Sequence, residues 1–224
     1  MDGFIAIGDI HGCTKSLKAL LNTLKTEYSV NRKYVFLGDY IDRGPDSKGT
    51  IDELIDFGIS HDCCFIRGNH DQMLINAYKA KDFDLWLRNG GASTIDSYKT
   101  SVQDFSIPIE HLDFFVNTVM YLNTPEYVFV HAGVPAHQSI EKSLKDKAVH
   151  DYFMWTRNHI GYPVPKWEKK VIFGHTPTVN PIITDKMIGI DTGCVYNKNK
   201  GMGRLTAVVL PEMKFITQES LDQI

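Results

Sequence analysis

Six residues of metal-ligating type recur at one kind of place in this 224-residue chain. Asp9 and His11 lie in Gly8-Asp9-Ile10-His11-Gly12, and Asp39 in Gly38-Asp39-Tyr40-Ile41-Asp42-Arg43-Gly44. Asn69 lies in Gly68-Asn69-His70-Asp71, His131 in His131-Ala132-Gly133, and His175 in Gly174-His175-Thr176-Pro177. Each group is glycine-flanked and follows a short apolar run, as tight turns and close backbone approach demand. A lone histidine or a lone Gly-Asp turn signifies little; five such turns at the same point of five runs signify a shared site. Carboxylate, amide and imidazole donors without a thiolate suit Mn, Fe, Zn or Mg rather than soft metals. Six donors exceed the needs of one catalytic ion, and two ions sharing one carboxylate is the economical arrangement. Such a pair activates water and neutralises the oxygens of an in-line displacement at phosphorus. A phosphate ester also calls for a cationic fork, and Arg43 follows Asp39 closely enough to aim one.

These turns need strands to carry them. Runs rich in Ile, Val, Phe and Tyr at 4–7, 34–37, 64–66, 127–130, 171–173, 187–190 and 205–210 have the length and make-up of buried strands. Between them, Leu17, Leu20, Leu21, Leu24 and Tyr28 share one helical face behind Thr14, a candidate N-cap. Further helices are expected over 47–57, 71–81, 110–121 and 152–159. Residues 90–108 carry no readable pattern, and substrate specificity is expected in loops there and at 137–150. Alternating strands and helices indicate an α/β chain, and the close spacing of the last strands indicates that part of the sheet is antiparallel. The expected architecture is a two-sheet β-sandwich of mixed strands flanked by helices, with ligands gathered beyond the carboxyl ends of the strands. No repeat and no linker-like shift divides the chain, so residues 1–224 are expected to form one catalytic domain.

Composition excludes several classes. With 24 Lys plus Arg against 27 Asp plus Glu, the net charge of -3 and the lack of a basic stripe argue against a stable nucleic-acid partner. No apolar stretch is long enough to span a bilayer, and Met1 leads directly into a strand-like run, so no membrane partner and a cytoplasmic location are expected. A monomer is the expected state. Cys13, Cys63, Cys64 and Cys194 lack metal-site spacing and are expected as reduced, mostly buried thiols. His61, His111, His137, His150 and His159 fit none of the turn motifs and are expected to be structural.

The motifs together resemble those of the calcineurin-like metallophosphoesterases, and within them the phosphoprotein phosphatase branch. Gly8-Asp9-Ile10-His11-Gly12, Gly38-Asp39-Tyr40-Ile41-Asp42-Arg43-Gly44 and Gly68-Asn69-His70 carry the resemblance. His131-Ala132, Trp155-Thr156-Arg157, Gly174-His175-Thr176-Pro177 and Asp191-Thr192-Gly193 follow in order, as in the small phosphatase of bacteriophage lambda and bacterial phosphatases like it. The resemblance implies that Asp9, His11 and Asp39 hold a first ion and that Asp39 bridges to a second held by Asn69, His131 and His175, with Mn the expected metal and Fe or Zn possible. It implies attack by a bridging hydroxide, His70 as the acid that protonates the leaving oxygen, Asp42 as the partner that orients His70, and Arg43 and Arg157 as phosphoryl-binding groups.

Two substrate classes follow. The intact Asp42 and His70 pair favours a metal-dependent serine/threonine phosphatase acting on a phosphoprotein or a small phosphoester, with phosphotyrosine a possible further substrate. The ending Asp191-Thr192-Gly193-Cys194 is shared with the symmetrical diadenosine tetraphosphatases, which makes a dinucleoside polyphosphate hydrolase the alternative. That branch tends to replace the second aspartate of the second motif, whereas Asp42 is present here.

Overall fold

The computed structural model describes residues 3–28 and 31–224; Met1, on which the expected absence of a leader rests, lies outside them. Strands β1 (Gly3–Ile7), β2 (Arg32–Phe36) and β3 (Cys63–Phe65) run parallel, joined by helices α1 (Thr14–Glu27) and α2 (Ser47–Ser60). Helix α3 (Asn69–Ala80) leaves the end of β3. After the short helices α4 (Asp84–Trp86), α5 (Ala92–Ser97) and α6 (Ile109–Asn117) come β4 (Tyr121–Asn123) and β5 (Tyr127–Val130). Helices α7 (Ile140–Lys145) and α8 (Tyr152–Trp155) precede β6 (Lys170–Phe173), β7 (Ile182–Ile183) and β8 (Met187–Gly189). The hairpin β9 (Arg204–Leu210) and β10 (Lys214–Glu219) ends the chain.

Two five-stranded mixed sheets result, ordered β10-β9-β1-β2-β3 and β4-β5-β6-β8-β7. The expected α/β sandwich is the observed one, and side-chain alternation explains it. Ala6, Val35 and Val208 of the first sheet meet Phe129, Ile172 and Ile188 of the second in a fully buried layer between the sheets. Their neighbours Ile5, Ile7, Tyr34, Phe36 and Val209 face the other way and pack under α1 and α2 through Leu17, Leu21, Ile51 and Leu54. On the far face of the second sheet, Val128, Val130, Val171 and Phe173 pack with Phe153 and Trp167. Covered on both faces, the central strands read as unbroken apolar runs, and each buried aliphatic or aromatic side chain contributes about 1.5–3 kcal/mol.

Four elements differ from the sequence reading. Thr14 is the first residue of α1 rather than its cap, because its hydroxyl donates to the Asp46 carbonyl (2.7 Å) and meets the Thr50 hydroxyl (2.8 Å). The helix expected over 110–121 stops at Asn117, and Tyr121 opens β4. Arg67 explains the stop, since its guanidinium donates to the carbonyls of Phe115, Val116 and Thr118 and closes the helix end. The helix expected over 152–159 is a single turn, and the unreadable stretch after residue 90 begins inside a π-helical turn, Leu87–Gly91. None of the helices described is long and apolar enough to cross a membrane. Cys13 and Cys194 are buried, Cys63 and Cys64 partly so, and all four are free thiols.

His159 packs against Phe173, with ring centroids 4.6 Å apart, and against Trp167, and it is only 1% exposed. Neither of its ring nitrogens has a partner, and burial pushes its pKa down to about 4. In the unfolded chain the same imidazole ionises near 6.5. Between those values the unfolded chain binds a proton that the folded chain refuses, so stability is full above about pH 6.5 and falls as the pH drops toward 4. The loss is on the order of 3 kcal/mol. His159→Phe keeps the shape and removes the titrating group, so denaturant unfolding at pH 7 and pH 4.5 should show a much shallower acid loss than in the parent. An unchanged slope would place the acid sensitivity elsewhere.

Candidate metal centre

The two sheets bring their parallel strands to one edge. Beyond β1 stand Asp9 and His11, beyond β2 Asp39, Asp42 and Arg43, and beyond β3 Asn69 and His70 at the start of α3. From the second sheet come His131 after β5, His175 after β6 and Asp191 after β8. All six expected ligands converge there, each at most 6% exposed. Their backbones are unusual. Among the described residues, nine non-glycines have positive φ, and five of them are His11, Asp39, Asp42, Arg43 and His175. A left-handed non-glycine costs on the order of 1–3 kcal/mol and persists where the surroundings impose it. Here the neighbouring loop imposes it, because His11 N donates to the Asp39 carbonyl and Asp39 N and Tyr40 N donate to the Asp71 carboxylate. Gly68 permits the approach, since a Cβ there would lie 2.1 Å from Asp39 Oδ1.

Lone pairs crowd at the centre. His131 Nδ1 donates to the Leu37 carbonyl at 2.8 Å, which directs Nε2 inward. Around that nitrogen lie Asn69 Oδ1 (2.9 Å), His175 Nδ1 (3.1 Å) and Asp39 Oδ2 (3.4 Å). His175 thus turns Nδ1 to this point, and its ring also meets the Trp155 backbone. Two tight groups form, Asp39 with His131 and His175, and Asp39 with His11 and His70, and Asp39 belongs to both. An amide oxygen, a carboxylate and two imidazoles aimed at one point make a cation site.

Electrostatics point the same way. Burial and the charge of Asp191 hold the Asp9 carboxyl well above its ordinary range, and burial lifts Asp71 to about 7 and Asp191 to about 6, the Asp39 charge adding to both. Asp39 is the exception: burial opposes its ionisation, but the imidazoles of His131, His70 and His11 hold it well below the usual range. Burial likewise opposes a charged His131, yet the Asp39 carboxylate lifts it to about 9. Buried carboxyls that repel one another fit divalent cations.

Beside the first group, Arg43 forks between two imidazoles, with Nη1 2.8 Å from His11 Nε2 and Nη2 2.7 Å from His70 Nε2. A guanidinium only donates, so both Nε2 atoms accept. His70 therefore carries its proton on Nδ1, which donates to Asp42 Oδ2 at 2.7 Å. Asp42 is fully buried and also accepts from Trp86 Nε1 (2.9 Å) and Thr94 Oγ1 (2.7 Å). Burial pushes its carboxyl upward, and the bonds from His70, Thr94 and Trp86 pull it back. The guanidinium lies 5.8 Å from the Tyr196 ring centroid, and Gly90 packs on its stem, where a Cβ would lie 2.8 Å from Arg43 Cγ.

Two placements differ from the expected sets. The Asp9 carboxylate accepts from His175 N at 3.0 Å and lies outside both tight groups, where His70 stands instead. Arg157 reaches His175 through its backbone, Nη2 donating to the carbonyl at 3.3 Å. Trp86 and Thr94 are supporting residues that the motifs did not reveal, and Asp71, though it stands in the third motif, was given no role there. Trp86 and Thr94 stand 44 and 52 positions from Asp42, beyond any local pattern. Asp191 had a readable signal, a carboxylate just after a buried run, and its place at the site matches it.

The model of the calcineurin-like phosphoesterases matches residues 3–201. The chain belongs to that family. Among solved metallophosphoesterase-like folds, a crystal structure provisionally described as a diadenosine tetraphosphatase superposes with a TM-score of 0.70 at 22% identity, covering 100% of this chain and 96% of the other. A serine/threonine phosphatase of Saccharomyces cerevisiae gives 0.64 at 15% identity, covering 99% and 81%. At these identities the likeness speaks for the fold alone. Curated relatives reach further in sequence: bis(5'-nucleosyl)-tetraphosphatase PrpE (asymmetrical) of Oceanobacillus iheyensis is 29% identical over 96% of this chain and 91% of its own length. The protein of the same name from Geobacillus thermodenitrificans is 29% identical over 96% and 93%. These relatives carry a nucleotide name, where the motifs led to an expectation of the lambda-type phosphatases.

Proposed function

We propose that this phosphoesterase hydrolyses dinucleoside polyphosphates asymmetrically, splitting a tetraphosphate into a nucleoside monophosphate and a triphosphate. The observation that carries it is the end-to-end similarity to relatives of that name. In this reading Asp9, His11 and Asp39 hold one divalent ion, and Asp39, Asn69, His131 and His175 hold the other. When bound, the ions would supply Lewis-acid charge neutralisation and lower the pKa of water enough to make hydroxide available at neutral pH. The chain does the rest. A phosphoryl group draws the Arg43 fork from the two imidazoles onto its oxygens, with Arg157 gripping from the His175 side. Freed at Nε2, His70 takes up a proton and passes it to the leaving oxygen, while Nδ1–H on Asp42 keeps the ring aimed.

A second reading, a phosphomonoesterase acting on phosphoserine and phosphothreonine, is favoured by the 2.7 Å pairing of His70 with Asp42, because a serine alkoxide needs an acid more than a phosphate leaving group does. Metal-stripped protein reconstituted with Mn, assayed on diadenosine tetraphosphate with its products resolved and on a phosphoserine peptide, separates the two. AMP plus ATP, with slower peptide turnover, is the expected outcome. Two ADP would indicate symmetrical cleavage, and fast peptide turnover with an untouched dinucleotide would overturn the proposal. Under either reading, Arg43→Ala should lower kcat/KM roughly a hundredfold and leave metal content unchanged; unaltered kinetics would remove its role as a phosphate clamp.

A further inference from the structure

Of the three tryptophans, Trp86 and Trp167 are 1% and 2% exposed, whereas Trp155 is 44% exposed at the end of α8. Its ring stands edge-on to His175, with centroids 6.4 Å apart at 81°. An indole left open beside a metal centre is a flat apolar surface without a protein partner on its free side. A pocket of about 440 Å³ opens there, lined by Asp151, Tyr152, Trp155, Thr156, Arg157 and Asn158. That volume lies within the range of small-molecule sites. Apart from Thr156, the lining side chains are exposed.

We propose that Trp155 is the stacking platform for a nucleobase of the substrate, with Asp151 and Asn158 presented to the edge of the base. The inference rests on the dinucleotide reading above and extends it to the part of the substrate that does not react. A π-face takes any base, and the polar rim narrows the choice. An amide pairs with the N6 and N7 edge of adenine, and a carboxylate accepts from an exocyclic amino group. Adenine suits both, as does cytosine, each with an amino group beside a ring-nitrogen acceptor. Arg157 joins the two regions, since it lines the pocket and also holds the His175 carbonyl. A base on Trp155 sits one ring's reach from a metal-ligand imidazole, so the phosphate nearest its own ribose is the one presented to the centre. Asymmetrical cleavage needs that placement.

The test uses Mn-reconstituted full-length protein and two readouts. Because the other two indoles are buried, AMP should quench the fluorescence of Trp155 selectively, inorganic phosphate should not, and Trp155→Phe should abolish the response. In kinetics, Trp155→Ala should lose roughly tenfold more kcat/KM on diadenosine tetraphosphate than on p-nitrophenyl phosphate, as removal of one base-stacking ring predicts, and Trp155→Phe should recover most of it. Equal losses on the two substrates, equal quenching by phosphate, or a quench that survives in Trp155→Phe would overturn the platform. The two proposals fail separately. Dinucleotide cleavage without an AMP-specific quench removes the platform and leaves the function, whereas an AMP-specific quench in a protein inert toward the dinucleotide keeps the platform and removes the function.

Discussion

Replacing Asp39 with Asn is expected to weaken both metal positions together, by at least the roughly 10–100-fold that loss of a mere supporting partner costs, with activity falling alongside. The reason is geometric and electrostatic. Asp39 Oδ2 lies 3.6 Å from His11 Nε2 and 3.4 Å from His131 Nε2, so one carboxylate serves both groups of donors. Its Oδ1 accepts from His70 N at 3.0 Å, which ties the start of α3 to the same residue. The substitution is a clean one: φ at position 39 is 52°, and asparagine tolerates that left-handed backbone better than most residues. What is lost is the charge. Metal content measured after reconstitution and gel filtration should fall at both positions, while far-UV circular dichroism stays that of the parent. The histidines offer a second reading, because the Asp39 carboxylate is what raises His131 to about 9. In the metal-free Asp39→Asn variant that imidazole should titrate lower, which NMR can follow. Two tightly held ions per chain in Asp39→Asn would break the bridging assignment.

The candidate ligands were legible in the sequence as a converging set because their positions are fixed by local rules. A strand buried on both faces leaves an apolar run, and the turn beyond it needs glycine, so Asp9, His11, Asp39, His131 and His175 announce themselves within a few residues of Phe4, Tyr34, Tyr127 and Val171. What supports the ligands was not legible, because it is held by tertiary contacts. The Trp86 indole and the Thr94 hydroxyl reach Asp42 from a stretch without periodicity, broken by a π-helical turn at Gly90, φ 105°. The loop expected to set specificity is thus partly a scaffold for Asp42 and Arg43. The missed strand β4 had a similar cause: the apolar pattern runs on through Val119, Met120 and Tyr121, and α6 is ended by the distant Arg67 guanidinium, the Thr118 hydroxyl on the Phe115 carbonyl, and backbone bonds that tie Val119 to Phe65 and Arg67. Substrate class was the least legible feature. The motifs encode metal binding and attack at phosphorus, which esters and anhydrides share, whereas discrimination lies with groups such as Trp155 that touch what does not react.

His70→Asn is expected to divide substrates by their leaving groups. General acid catalysis contributes typically about 10²–10⁴-fold, and the contribution grows with the basicity of the oxygen that departs. Loss of turnover should be greatest on a phosphoserine peptide, which expels an alkoxide, and smallest on p-nitrophenyl phosphate. Diadenosine tetraphosphate should also lose little, since its leaving group is a phosphate chain whose terminal ionisation lies near neutrality, as that of p-nitrophenol does. Metal content decides a separate point. His70 stands within one of the two tight donor groups while Asp9 stands outside both, so loss of one ion per chain in His70→Asn would make His70 a ligand rather than an acid. Two retained ions with equal losses on all three substrates would remove it from proton transfer and leave it as a support for Arg43, 2.7 Å away. Asp42→Asn completes the argument. That carboxylate accepts from His70, Trp86 and Thr94 at once, and an amide in its place sets donor against donor at one of these contacts. The His70 ring then loses its fixed aim, and the same ordering of substrates should return at smaller amplitude.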